Sequence, residues 1–213
     1  MQCLAHIADQ GGGYVTLWRE GALPDDDRAA SRVGLEVARE VNQMTAALPI
    51  HESEPTQVLD DIMFRNFRPG LDDTAFLELN NAAFLGHEEQ GAWTKSVLQD
   101  RYAESWFDAT WFMVAERDGE LIGFNWLKRH PASDDSGEYG EIYVIAVSNT
   151  AQGNGVGKAL ALAGLERVAE DGLKTAKLFV ASTNSAAIAM YHSLGFTTTR
   201  IDRAYTALIA PVD

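Results

Sequence analysis

The stretch that most constrains this chain is a continuous apolar run, Ile142 to Val147, that leads into Gln152-Gly153-Asn154-Gly155-Val156-Gly157-Lys158 and then into a helical pattern. Alternating glycines at a strand-to-helix turn supply backbone angles that other residues resist, and they let the main chain approach a ligand closely. The free N–H groups of the first helical turn then face an anion, and the helix dipole adds to the attraction. Three readings compete for such a turn. A dinucleotide fold places it in the first strand–helix unit and ends the next strand in an acidic residue. Here it follows an antiparallel hairpin, and the next strand ends in Ala181-Ser182-Thr183-Asn184. A Walker-type phosphate loop needs Gly-Lys-Ser/Thr, whereas Gly157-Lys158 is followed by Ala159. A plain tight turn needs fewer than three alternating glycines.

Around this turn the pattern from Phe64 onward is α/β. Phe64 to Arg68 reads as a strand ending at Pro69-Gly70, and Asp72-Asp73 cap a helix carrying Phe76, Leu77 and Leu79. A second helix is expected over Lys95 to Ala103. Trp111 to Glu116 and Leu121 to Lys128 form strands joined at Asp118-Gly119, a strong hairpin signal. After the loop Pro131 to Gly137 come a strand, Glu138 to Val147, and a helix, Gly155 to Ala169. A strand at Ala176 to Ala181 and a helix at Ser185 to Leu194, closed by Gly195, follow. The last strands are expected near Phe196 and over Tyr205 to Leu208.

The first part differs. Gly11-Gly12-Gly13 leads into a short strand, Tyr14 to Trp18. The spacing of Val33, Val37, Val41, Met44 and Leu48 predicts a helix from Arg28 to Leu48 after the acidic turn Asp25-Asp26-Asp27. Pro49 to Pro55 reads as a linker.

Composition narrows the function. The net charge of −14 argues against binding to nucleic-acid phosphates and is compatible with a cationic substrate, although most of it reads as solvated surface. Cys3 is the single cysteine, which removes disulfides and cysteine-based metal sites and suits a reducing cytoplasm. The chain has neither a membrane-length apolar run nor an export signal at its start. No nucleic acid, membrane or metal is expected as a partner, and the expected state is a monomer or weak homo-oligomer.

Gln152 to Gly157 resembles the pyrophosphate-binding loop of GNAT-type acetyltransferases. Asn184-x-x-Ala187-x-x-x-Tyr191-x-x-x-Gly195-Phe196 resembles the later helix-and-strand signature of that family. The resemblance implies the GNAT acyltransferase fold, a mixed central sheet with helices on both faces, and acetyl-CoA as co-substrate. It narrows further to the mycothiol synthase family. The motifs are Asn80-Asn81-Ala82-Ala83-Phe84, His87 to Trp93, Trp106-Phe107-Asp108, Gly123 to Lys128, Gly140 to Val144 and Asp202-x-x-Tyr205. That family acetylates the cysteinyl amine of a cysteine–glucosamine–inositol conjugate and usually carries two tandem acetyltransferase domains. The resemblance therefore implies that residues 56–213 are the catalytic domain and residues 1–55 the remnant of a first one. A GNAT enzyme for another small amine or a peptide N-terminus, and a non-catalytic acetyl-CoA-binding module, are the alternatives.

Acetyl transfer to an amine needs a neutral nucleophile and a proton for the leaving thiolate. Glu141 is the candidate base: alternation puts it on one face with Tyr143 and Ile145, and an acidic residue in an apolar strand needs a reason. Its plainer reading is a surface glutamate or a partner for Lys128. Tyr191 is the candidate acid; its plainer reading is a core aromatic beside Ala187 and Leu194. The resemblance implies substrate contacts for Glu89, Lys128, Glu141 and Phe179, where the family commonly has tyrosine at the last position. It also implies coenzyme contacts from Ile145, Ala146 and Val147, from Gln152, Gly153, Asn154, Gly155, Val156, Gly157 and Lys158, and from Asn184. His87 is read as structural.

Overall fold

A computed structural model describes residues 2–50, 61–86, 90–133 and 136–211. The expected linker therefore lies mostly outside the described residues, and Glu89 and His87 lie wholly outside them. The chain divides into two compact units. One comprises Ala46–Leu178 with Ser193–Phe196, the other Met1–Thr45 with Phe179–His192 and Thr197–Asp213.

In chain order the elements are α1 (Gln2–Asp9), β1 (Gly13–Arg19), α2 (Pro24–Ser31), β2 (Glu36–Ala47), β3 (Met63–Asn66), α3 (Asp73–Ala83), α4 (Lys95–Tyr102), β4 (Phe112–Arg117), β5 (Glu120–His130), β6 (Tyr139–Val147), α5 (Val156–Glu170), β7 (Thr175–Ala181), α6 (Ser185–Ser193) and β8 (Thr197–Ile209). In the Ala46–Leu178 unit the strand order is β3-β4-β5-β6-β7, antiparallel throughout except for the parallel β6–β7 pair. This is the expected mixed sheet. The β4–β5 hairpin closes at Asp118-Gly119, both with positive φ (52° and 81°), as the sequence signal requires.

Helices cover both faces of that sheet. On one face Phe76 and Leu79 of α3 and Leu98 of α4 pack with Phe112, Val114, Phe124 and Trp126; Trp126 stacks on Phe112, and Phe124 meets Phe76 edge-on. On the other, Val156 and Leu160 of α5 pack with Ala115 and Ile122. Trp126, Phe76, Phe112 and Phe124 are fully buried, so the aromatic layer under α3 and α4 supplies much of the apolar burial that holds this unit together.

In the other unit β8 lies between β1 and β2, antiparallel to both. Ala30 of α2, Leu35 and Tyr205 form its small core. Here the sequence expectation fails: the helix expected from Arg28 to Leu48 is the end of α2 followed by the strand β2. Two irregularities in the β2–β8 register, at Val37/Arg39 and Gln43/Met44, break the period-two pattern. The surviving spacing of valines mimics a helix face. The two expected final strands are the single strand β8.

Candidate active site

The Gly-rich turn is built as its sequence demands. Gly153 and Gly155 take φ values of 80° and 77°, and Gly155 is the N-cap of α5. A glycine cap offers no side chain to the first-turn N–H groups, so those of Val156 and Gly157 are left to solvent or a ligand. No acidic residue stands in that turn to cancel the helix dipole. The side chains of Gln152 and Asn154 brace the loop from within. Gln152 Nε2 donates to the Val147 carbonyl at 3.1 Å, and Asn154 Nδ2 reaches the Gln152 carbonyl at 3.4 Å.

The strand feeding this turn is open along part of its length. The β6–β7 ladder covers only Gly140–Ile142 against Ala176–Leu178, whereas β6 stays paired with β5 as far as Val147. Ile145, Ala146 and Val147 therefore form the end of a strand that β7 does not pair, immediately before the turn. Such a backbone edge suits an extended amide-bearing chain, which binds as a strand does.

A bulge shapes the polar part of the site. The β5–β6 register skips at Tyr143, so Trp126 opposes Val144 while Leu127 opposes Ile142. Tyr143 shares the aromatic face with Val144 and Ala146, and Ile145 turns to the α5 face. Glu141 and Ile145 thus lie on opposite faces, contrary to simple alternation.

Glu141 is buried and Lys128 is its cross-strand neighbour, yet the two do not pair as ions. The Lys128 ammonium stands over the Trp106 ring at 4.7 Å and the Tyr143 ring at 5.7 Å. The partner of Glu141 is His130, whose Nε2 lies 2.5 Å from Oε2. Sequence reasoning missed His130, because the expected strand stopped at Lys128 and left it in a loop. The β5 register carried two residues further would have found it.

In the other unit Asn184 accepts the Ala187 N–H at 3.1 Å and so caps α6. Tyr191 is buried on α6, and that burial pushes its phenol well above the ordinary tyrosine value. Phe179 is exposed. Among the described residues no cluster of side chains could hold a metal ion.

The acetyltransferase (GNAT) family matches residues 74–196, more than half of the chain. The chain belongs to the GNAT acetyltransferase family. Its relatives within it include the mycothiol acetyltransferase of Thermobispora bispora, 41% identical over 95% of this chain and 68% of that protein. The mycothiol acetyltransferase of Streptomyces griseus is 42% identical over 91% of this chain and 62% of that one. The chain thus spans about two-thirds of the length of these relatives. A GCN5-related N-acetyltransferase from Sphaerobacter thermophilus shares the fold, with a TM-score of 0.76 at 19% identity over the whole of this chain and 65% of its own. The strand-then-turn arrangement of β6 and α5 lies within the residues that the family matches.

Proposed function

We propose that the chain moves acetyl from acetyl-CoA to the cysteinyl amine of a cysteine–glucosamine–inositol conjugate, the last step of mycothiol formation. The observation that carries the transferase reading is the unpaired end of β6 running directly into the uncapped N-terminus of α5. The mycothiol acetyltransferase relatives support the acceptor.

Bound acetyl-CoA supplies an activated acetyl group. The N–H groups at the start of α5, with the backbone of Gly153 to Lys158, hold its pyrophosphate, and the main chain of Ile145 to Val147 holds the pantetheine arm. Gln152 and Asn154 act by keeping the loop open rather than by their own contacts. Asn184 acts through the start of α6. Lys128, fixed over two aromatic rings, bonds the acceptor's hydroxyls. Glu89 meets its ammonium group.

An α-amine titrates at about 8 and is partly neutral near pH 7, so the base has modest work. Glu141 takes the proton the amine loses. The Tyr191 phenol, kept protonated by burial, gives its proton to the departing thiolate. The site asks for no metal. Among the described residues no helix is long and apolar enough to cross a membrane, and we place the enzyme in the cytoplasm as a monomer or weak homo-oligomer.

The test is release of free CoA thiol with this conjugate as acceptor, beside a panel of other amines and peptide N-termini. Turnover of the conjugate, slowed in Glu141→Gln, is the expected result. A preference for peptides would overturn the acceptor, and tight coenzyme binding without turnover of any amine would overturn catalysis. One observation favours a different small amine: exposed Phe179 offers no hydroxyl to an acceptor. The same panel decides it.

A further inference from the structure

Glu141 is poorly placed to exchange protons with water by itself. Its side chain is only 12% exposed, two residues into β6, between paired strands on both sides. A base that keeps the proton it has taken is spent after one turnover, so an exit is required. The side chains around it are Lys128 from β5, Lys177 in register from β7, Tyr143 and Tyr139 from β6 itself, and His130 from the end of β5. Both lysines are directed elsewhere. Lys128 stands over Trp106 and Tyr143, and Lys177 stands 3.9 Å over the Tyr139 ring and donates to Ser136 Oγ. His130 alone among these has a ring nitrogen on the carboxylate, at 2.5 Å. Its ring is held flat against Tyr139, centroids 4.5 Å apart and planes 7° from parallel, and its side chain is 26% exposed.

We infer that His130 is the proton exit of Glu141: a relay and positioning residue that carries the amine's proton from the buried carboxylate to solvent. The inference rests on Glu141 being the base. The amine N–H bond breaks and its proton joins the Glu141 carboxylate. That proton passes from Oε2 to the unprotonated His130 Nε2 as the proton on Nδ1 leaves to water, and exchange of the ring's protons with water restores the Nδ1–H tautomer before the next turnover. No electrons change hands, and one proton moves from amine to solvent. A histidine suits the task because its two nitrogens accept on one side and release on the other near neutral pH. The Tyr139 stack keeps the ring from swinging away from Oε2.

The test compares wild type, His130→Ala, His130→Gln and Glu141→Gln in CoA thiol release, using the acceptor from the panel above that turns over fastest. Acetyl-CoA binding, measured by calorimetry, confirms that each variant is folded. Both His130 variants should lose about tenfold to a hundredfold in kcat with little change in coenzyme affinity, up to the lower end of the range for proton-transfer catalysis. Added imidazole should restore His130→Ala in proportion to its concentration and leave wild type unchanged. His130→Gln can still donate a hydrogen bond to Glu141 but cannot relay, so it should stay slow. Wild-type turnover in His130→Gln, with Glu141→Gln slow, overturns the relay and leaves the base reading standing. Full turnover in Glu141→Gln overturns the base and the relay with it, as does a wild type that acetylates no amine. A slow His130→Ala that imidazole does not rescue reduces His130 to a structural prop.

Discussion

Gly164 of α5 lies so close to Asn125 of β5 that a Cβ at position 164 would stand 2.4 Å from Asn125 Nδ2. The same amide donates to the Leu160 carbonyl at 2.9 Å, pinning a helix turn to the sheet by a buried hydrogen bond. Gly140 of β6 makes a second close approach, where a Cβ would stand 2.5 Å from Val168 Cγ1. These two glycines set the distance at which α5, and with it the uncapped N-terminus, rides over β5 and β6.

Gly164→Ala should therefore cost about 1–3 kcal/mol of stability, the usual penalty for overpacking, because Asn125 and Leu127 have nowhere to yield. Gly140→Ala should cost a similar amount, but combining it with Val168→Ala should recover part of the loss, since the clash is with the Val168 methyl groups. Urea unfolding of the single and double variants measures both. Additive losses in the Gly140–Val168 pair would show that the close approach is not what constrains the helix.

Gly155→Ala places a side chain at φ 77°, where an L-residue is strained by roughly 1–2 kcal/mol. The cost falls on the turn that presents the first N–H groups of α5, so acetyl-CoA binding should weaken about fivefold or more while the acceptor KM changes little. Calorimetry with acetyl-CoA and steady-state kinetics separate the two effects.

How much of this was readable beforehand depends on where the strands keep their alternation. The turn after β6, the Asp118-Gly119 hairpin and the α5 boundary rest on local backbone demands that glycine and aspartate announce. β2 did not announce itself. Its irregularities at Val37/Arg39 and Gln43/Met44 scramble the pattern, and only Met44, Ala46 and Leu48 at the end show buried alternation. One bulge, at Tyr143, likewise sent Ile145 to the α5 face while Glu141 stayed on the aromatic one. Pairing across strands decides what touches Glu141. A sequence gives Lys128 as a neighbour by type, but the 4.7 Å approach of its ammonium to Trp106, which leaves the carboxylate to His130, depends on packing.

Asp72 ties the start of α3 to Arg65 of β3 and to Arg68, through contacts of 2.7 Å and 3.0 Å. Burial acts to raise its carboxyl, but the hydrogen bonds from Arg65, Arg68 and the Arg68 backbone outweigh that and hold it at about 2. A carboxyl depressed in the folded state contributes stability that is fully present above its unfolded value near 4. The contribution is lost as pH falls toward 2. Asp72→Asn should thus cost about 2 kcal/mol at pH 7, and the gap to wild type should narrow between roughly pH 4 and pH 2. Urea midpoints across that range test it. A gap that stays constant with pH would assign the loss to packing instead.

For Tyr191 the direction is opposite and the consequence is kinetic. Burial raises the phenol above its ordinary value near 10, so it stays protonated across the whole working range of the enzyme. A proton donor in that state loses nothing as pH rises from 6 to 9. Tyr191→Phe should lower kcat by about a hundredfold, in line with loss of a general acid, and leave acetyl-CoA affinity nearly intact. The ratio of variant to wild-type rate should be flat over pH 6 to 9, because no ionisation of Tyr191 occurs there. Rates of CoA thiol release measured across that range supply the ratio. If it climbed toward unity at the alkaline end, the phenol would be ionising within the range and the burial argument would fail. If it were unity throughout, the thiolate would be taking its proton from elsewhere, and Tyr191 would be a core aromatic of α6 and nothing more.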